Sequence, residues 1–438
     1  MPNQFEKMNI LLGNYRYFVS GGPERYLFNV SELLEKKGHI LIPFSVKHPK
    51  NVYSEFSRFF LSPLSTNKNE IFLKEFIKNP LVWLKLFDRA FYSIEAKRKI
   101  KTLLDKFNID VAYILHFLRW ISPSIIDELY NRNIPIVVRI SDFEYICPGA
   151  HLLRNNQICE LCLNGNYWNA IKYRCVQNSL SVSLTLVFSM YINKWLKIFN
   201  KIDAFICPSE FTLEKMVEAG FDRGKLFYVP TFINSEKINP NFNPGNYILY
   251  LGRLSHEKGV DVLLDSLKKL QGKKNISLTM IVQSAGLRTD TLHKRITTNG
   301  IENIKILSDI EKENIYSYIR NSAFVIVPSI HYENLPNVIL ESFAHGKSVI
   351  GSNRGGINDI VKHQETGLLF EAGNSDDLAE KIDWLMNNPS DNIKMGLNAR
   401  RLVEEEFNQE LHYQRLMEIF KKFREEHNNI NSIKFTVN

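Results

Sequence analysis

Twice along this chain a short apolar run ends near a glycine-bearing loop, gives way to helical periodicity and returns to an apolar run. The first instance opens at residues 8–14 (MNILLGN), a buried-strand pattern, followed by the loop YRYFVSGGP. In the next segment, ERYLFNVSELLEKKGH, Leu27, Val30, Leu33 and Leu34 recur at helical spacing and Gly38 supplies a stop; HILIPFS then reads as a second strand. Strand, glycine loop, helix, strand is the opening unit of a doubly wound parallel sheet. DVAYILH (residues 110–116), PIVVRIS (135–141) and DAFICPS (203–209) continue the alternation. Residues 230–246, PTFINSEKINPNFNPGN, are rich in proline and asparagine and mark a linker. The alternation then restarts with YILYLGR and GVDVLLDSLKKL, runs through SLTMIVQ, NIKILS, AFVIVPS and SVIGS, and closes on GLLFE. The expected fold is therefore α/β, with two doubly wound Rossmann-like domains facing a cleft. They span residues 1–230 and 231–408, and residues 409–438 add a last helix and tail. A tandem of this kind places a ligand cleft between the carboxyl ends of its two sheets.

A chain of 438 residues is too long for one ordinary core, which agrees with two domains. Its 44% hydrophobic and 23% charged residues are those of a globular protein, and a formal charge of +8 favours anionic partners: nucleotides, phospholipid surfaces or nucleic acid. The N-terminus, MPNQFEKMNILLGNY, lacks the charged start, apolar run and cleavage site of a signal peptide. The most apolar segment, LTLVFSMYI, is far shorter than the roughly 20 residues that span a bilayer. A cytoplasmic location follows as the expectation. Residues 51–107 mix aromatics with lysines and arginines at roughly helical spacing, and MYINKWLKIFNK (190–201) does so again. Two readings stand side by side: helices lying flat on an anionic membrane as a peripheral attachment, or helices packed on the sheet with solvated basic faces. Cys147, Cys159, Cys162 and Cys175 fall close together in sequence. In a cytosolic chain they are either the four thiolates of a structural zinc site or plain reduced cysteines, and only one Cys-x2-Cys pair is present.

The stretch HYENLPNVILESFAHGKSVIGSNRGG sets Glu333 and Glu341 eight positions apart. Pro336 suits a first helical position and Gly346 the position past a helix end, so a helix is expected over residues 336–345. Glu333 then lies in the loop at the cleft edge and Glu341 about a turn and a half into the helix. The N–H groups of Asn337 and Val338 face the same cleft, where they favour a phosphate. Carboxylates bond strongly to hydroxyls, so two of them around a phosphate site suggest a sugar on one side and a ribose on the other. In YLGRLSHEKGVDVLLDSL, Arg253 and Lys258 are placed to neutralise a diphosphate and the charge that grows on it as a leaving group.

These features together resemble the retaining glycosyltransferases of family four, which have the GT-B fold, and the resemblance covers nearly the whole chain. GRLSHEKG, ENLPNVILES, GSNRGGINDIV and ETGLLF match the family pattern in the second half, and SGGPERYL in the first. SDFEYICPGAHLLRNNQICELC and CPSEFTLEKMVEAGF match a cysteine-containing subgroup. The resemblance implies that Arg253 and Lys258 hold the donor diphosphate, Glu333 the donor sugar and Glu341 the nucleotide ribose. It places Gly21 and Gly22 near the donor phosphates or acceptor, and it sends the final helix, LHYQRLMEIFKKFREE, back across the first domain.

The chain departs from the pattern at one strand end. Relatives carry a histidine five positions after the aspartate of DVAYILH; here that residue is Leu115, and His116 comes one later. A second expected histidine, before Asp142, is Ser141. His116 is retained as a catalytic candidate beside Arg253, Lys258 and Glu333.

The implied function is transfer of a sugar, with retained configuration, from a nucleotide-diphosphate donor to a glycan or lipid-linked acceptor. It requires no cofactor for catalysis and fits surface polysaccharide, including lipopolysaccharide, biosynthesis. A catalytically silent sugar-nucleotide-binding relative is the alternative. Nucleic acid is not an expected partner, because no zinc-finger helix, RNA-recognition signature or helix-turn-helix pattern is present.

Overall fold

The computed structural model describes residues 5–63, 80–271, 276–283, 296–297, 301–308 and 310–436. Its first half is built on a parallel sheet of β1 (Asn9–Gly13), β2 (Ile40–Phe44), β3 (Val111–Ile114), β4 (Ile136–Arg139), β5 (Ala204–Cys207) and β6 (Leu226–Tyr228), in the order β2-β1-β3-β4-β5-β6. The second half repeats the plan with β7 (Ile248–Arg253), β8 (Leu278–Gln283), β9 (Ile304–Ser308), β10 (Val325–Val327), β11 (Val349–Ser352) and β12 (Gly367–Phe370), ordered β9-β8-β7-β10-β11-β12. Central strands of both sheets are buried on both faces, which is why they read as continuous apolar runs rather than as alternation.

The two faces still separate by parity. Ile10, Leu12, Val111 and Tyr113 point into one core layer of the first sheet; Leu11, Ala112 and Ile114 point into the other. Helix α1 (Gly22–Lys36) covers the first of these layers with Tyr26, Leu27, Val30, Leu33 and Leu34. Gly38, at φ 90°, ends the turn after it. Helices α2 (Pro80–Phe91) and α3 (Leu180–Trp195) pack together beside the opposite layer, with the Ser189 hydroxyl donating to the Ala90 carbonyl at 2.6 Å. In the second half, α4 (Val260–Leu270) and α5 (Asn337–Ala344) lie on opposite faces of the sheet. The last helix, α6 (Gln409–Thr436), buries Tyr413, Leu416, Met417, Phe420 and Phe423 in the same layer as α1, in the core of the first half.

Within the basic, aromatic segment one cation departs from both readings, membrane-facing or solvated. Arg89 is fully buried, with its guanidinium 2.7 Å from Glu95 and 3.2 Å from the Ser62 carbonyl, so it braces the fold instead of facing a surface. Phe87 and Phe91 do stack, at 4.1 Å between ring centroids. Residues 64–79 of the same run, and the side chains of residues 80–83 including Trp83, lie outside the described residues. Among the described residues no helix is long and apolar enough to cross a membrane.

Candidate active site

A doubly wound sheet binds ligands where its strand order reverses, because the loops leaving the two neighbouring strands diverge to opposite faces and open a crevice. Here the reversal points are β1/β3 and β7/β10. A cleft of about 530 Å³ is lined by loops from both. All nine residues expected at the donor and catalytic sites line it: Gly21, Gly22, His116, Arg253, Lys258, Glu333, Asn337, Val338 and Glu341.

The loop after β7 and the loop after β10 touch. Gly259 has φ 69°, and a Cβ there would stand 1.7 Å from the Pro328 carbonyl oxygen, so glycine alone allows this approach. The contact sets Lys258 against Glu333, Nζ to Oε1 at 2.5 Å, while the Ser329 hydroxyl donates to the same oxygen at 2.6 Å and His331 Nε2 lies 3.8 Å away. Burial by itself would raise the Glu333 pKa. The Lys258 and His331 charges and the two hydrogen bonds outweigh it and hold the carboxyl at about 2. His331 Nδ1 lies 3.0 Å from the Glu257 carbonyl oxygen, and burial lowers its pKa toward the neutral form. The Gly-Gly turn after β11 has a structural use. Gly356 N donates to the Glu333 carbonyl at 2.7 Å, and a Cβ on Gly356 would stand 1.8 Å from the Asn334 carbonyl oxygen.

Pro336 is the N-cap of α5, one place earlier than its sequence placement as first helical residue, and no side chain caps that end. The first-turn N–H groups at Asn337 and Val338 have no acceptor within the helix, as geometry dictates. Glu341, buried at the fifth helical position, has Oε1 3.1 Å from Arg25 Nη1 of α1 in the first half. Gly22 is just as near: its Cβ would stand 3.4 Å from Asn337 Nδ2. The two helix N-termini therefore confront one another across the cleft. Arg253 is more open to solvent, with its guanidinium 3.7 Å from Glu257.

On the first-half wall, His116 sits two residues beyond β3, with Nδ1 3.0 Å from Asn14 Oδ1 and Nε2 3.9 Å from Asp142. Burial lowers its pKa, so the ring is neutral at neutral pH. Arg139 is buried beside it in the cleft wall, donating to the Thr231 hydroxyl at 2.7 Å and lying 3.7 Å from the Tyr26 ring centroid. Sequence reasoning passed over Arg25, Arg139, Ser329 and His331. Arg139 carried a signal, a cation inside an otherwise apolar strand pattern; Arg25 stood in the quoted SGGPERYL without a partner visible in sequence.

The four clustered cysteines stand apart from this constellation, although Asp142, Ala150 and His151 of the same loop line the cleft. Cys147 and Cys162 are buried, Cys159 and Cys175 half-buried, and all are free thiols. Burial, reinforced by Cys147, Cys175 and Cys159, pushes the Cys162 thiol up to about 12. Among the described residues no three His, Cys, Asp or Glu side chains stand where they could hold one metal ion. The mutual influence of the four thiols does place them in one neighbourhood.

Residues 232–402 match the model of the family described as glycosyl transferases group 1. An amylovoran biosynthesis glycosyltransferase of Erwinia amylovora is 25% identical over 236 residues, 52% of this chain and 58% of that protein. A capsular polysaccharide biosynthesis glycosyltransferase of Staphylococcus aureus is 30% identical over 195 residues, 44% of this chain and 50% of that one. The chain spans between about a half and three-fifths of the length of these curated relatives. The Anabaena protein HepE, solved with UDP and glucose, superposes with TM-score 0.63 over 95% of this chain and 100% of its own, at 15% identity. That likeness shows the fold: the two sheet domains form the two-domain GT-B architecture.

Proposed function

We propose that the protein transfers a sugar from a nucleotide-diphosphate donor to a hydroxyl acceptor, with retention at the anomeric carbon. The observation that carries this is the pairing of Lys258 with an ionised Glu333 at one sheet reversal, beside a helix N-terminus that bears Glu341 and faces the glycine loop of the other domain. The ribose hydroxyls bind Glu341 in place of Arg25. The diphosphate lies against Arg253, Lys258 and the N–H groups of Asn337 and Val338, with Gly21 and Gly22 allowing close approach from the first domain. Glu333 binds hydroxyls of the donor sugar, and neutral His116 faces the reacting end.

The chemistry follows from where charge develops. As the bond from anomeric carbon to diphosphate oxygen breaks, negative charge grows on the leaving group, and the cations and helix terminus stabilise it. The departing oxygen takes the proton of the incoming hydroxyl on the same face, so the new bond forms on the side the old one left. No separate protein base is needed, which makes the shifted histidine tolerable, and no metal is required where fixed cations neutralise the diphosphate. The acceptor in this reading is a glycan or a lipid-linked sugar, and the names of the Erwinia and Staphylococcus relatives, amylovoran and capsular polysaccharide biosynthesis glycosyltransferases, support a part in polysaccharide assembly. A panel of nucleotide sugars tests the proposal. Turnover of one donor, with the product's anomeric configuration equal to the donor's by NMR, supports it; inversion overturns the mechanism. Tight binding without any turnover leaves a catalytically silent sugar-nucleotide-binding protein.

A further inference from the structure

We infer that α3 and the loop before it form a docking surface for an anionic lipid bilayer. Leu180, Leu184, Phe188, Tyr191 and Trp195 recur at spacings of three and four, so they fall on one stripe of the helix. The opposite arc, with Val182, Leu186, Val187 and Met190, is buried against the domain. Along the stripe Leu180, Phe188 and Trp195 are exposed, Trp195 at 78%, whereas Leu184 and Tyr191 are half-buried. Trp168, 53% exposed, stands edge-on to Phe188 at 5.7 Å and extends the apolar strip onto the preceding loop. An α-helix apolar on both arcs, with one arc in solvent, is out of place in water unless a partner covers it.

Charge identifies that partner. Residues 161–202 contain no aspartate or glutamate, yet they hold Lys172, Arg174, Lys194, Lys197 and Lys201. Lys201 is engaged with Asp127, whereas Lys172, Arg174, Lys194 and Lys197 are exposed around the strip. Exposed tryptophans among cations, with acids excluded over such a length, match the headgroup zone of an anionic membrane. Helix α2 adds exposed Leu84, Lys85 and Phe87 next to it. The surface is also joined to the cleft: the loop that presents Trp168 begins at Asp142 and His151, which line the cavity. A lipid-linked acceptor held in the bilayer would thus meet the cleft along this loop. That last step rests on the sugar-transfer reading; the lipid contact does not.

The test is flotation of the full chain with phosphatidylcholine vesicles, with and without phosphatidylglycerol, at low and high salt, in the absence of donor. The protein should float only with the anionic vesicles, and salt should release it. Lys194→Glu with Lys197→Glu should lower partitioning by at least about tenfold, since each cation near such a surface contributes several-fold in affinity. Phe188→Ser with Trp195→Ser should abolish flotation, and both variants should keep the native melting temperature because the altered side chains are exposed. The proposal is overturned if the native chain stays with the soluble fraction, or if the variants float as well as the native chain. It is equally overturned if ultracentrifugation shows a native dimer that Trp195→Ser dissolves, which would make a second copy the occupant. Donor turnover without vesicle binding would leave the sugar-transfer reading standing and remove this one.

Discussion

Glu333 is held by a lysine of its own domain, whereas Glu341 is held by an arginine of the other. This difference predicts different behaviour on substitution. Lys258→Ala should weaken donor binding and also slow turnover, because leaving-group charge peaks in the transition state. Glu341→Ala should weaken nucleotide binding by about tenfold or more, the size of hydrogen bonds to a charged group, with less effect on kcat. Calorimetric titration of both folded variants with the nucleoside diphosphate of whichever donor turns over decides the matter, and unchanged affinity in both would remove the donor assignment. Glu333 adds a pH signature. Its folded pKa, about 2, lies below the ordinary 4.5. Its contribution to stability is therefore complete above about 4.5 and is lost as pH falls toward 2. Lys258→Met should remove that component from the acid unfolding curve.

Among the elements, the loop carrying Glu333 depends on a turn that carries no chemistry. Gly356→Ala places a methyl group against the backbone of Asn334, where no flexible side chain can yield. The loop must move, so the donor KM should rise while the melting temperature also falls; a variant with native kinetics would show that Glu333 does not need this turn. The cysteine loop poses a separate question. A four-thiolate zinc site calls for about one equivalent of metal, and for Cys162→Ser to lose metal and thermal stability together while keeping donor affinity. Zinc-free protein of equal stability leaves four reduced thiols. In α6, burial and the nearby Arg139 charge push His412 down to about 3, and its ring bonds the Pro230 carbonyl oxygen and the Tyr26 hydroxyl. A folded pKa below the ordinary 6.5 means stability that is present above 6.5 and lost as pH falls toward 3. Hydrogen exchange in α6 should accelerate over that window, and less so in His412→Gln.

At the scale of the whole molecule, α6 follows the second half in sequence and belongs to the first domain by packing. Phe420→Ala should cost about 3–5 kcal/mol, the range for deleting a large buried aromatic, since Phe420 is completely buried against Tyr113. Chemical denaturation measures this directly. A loss below about 1 kcal/mol, within the range of surface substitutions, would mean that the strap is dispensable to the first domain.

The sequence by itself determined the two parallel sheets, because strands buried on both faces must be apolar throughout and the helices between them must carry a 3.6-residue stripe. It also determined which loops bear the site: glycines, prolines and lone charges at strand ends are local signals, legible without a fold. Lys258, Glu333 and the α5 terminus were found that way. What joins distant segments was decided only by tertiary structure. Arg25 and Glu341 are 316 positions apart, and nothing local to either announces the other. Arg89 reads as one more surface cation until Glu95 and Ser62 are seen to enclose it. Helix α3 carries apolar residues on two arcs, and which arc meets the core, and which meets solvent, depends on where the sheet and α2 lie. Periodicity follows from the geometry of one element; partnership follows from the packing of several, and that information is spread over the whole chain.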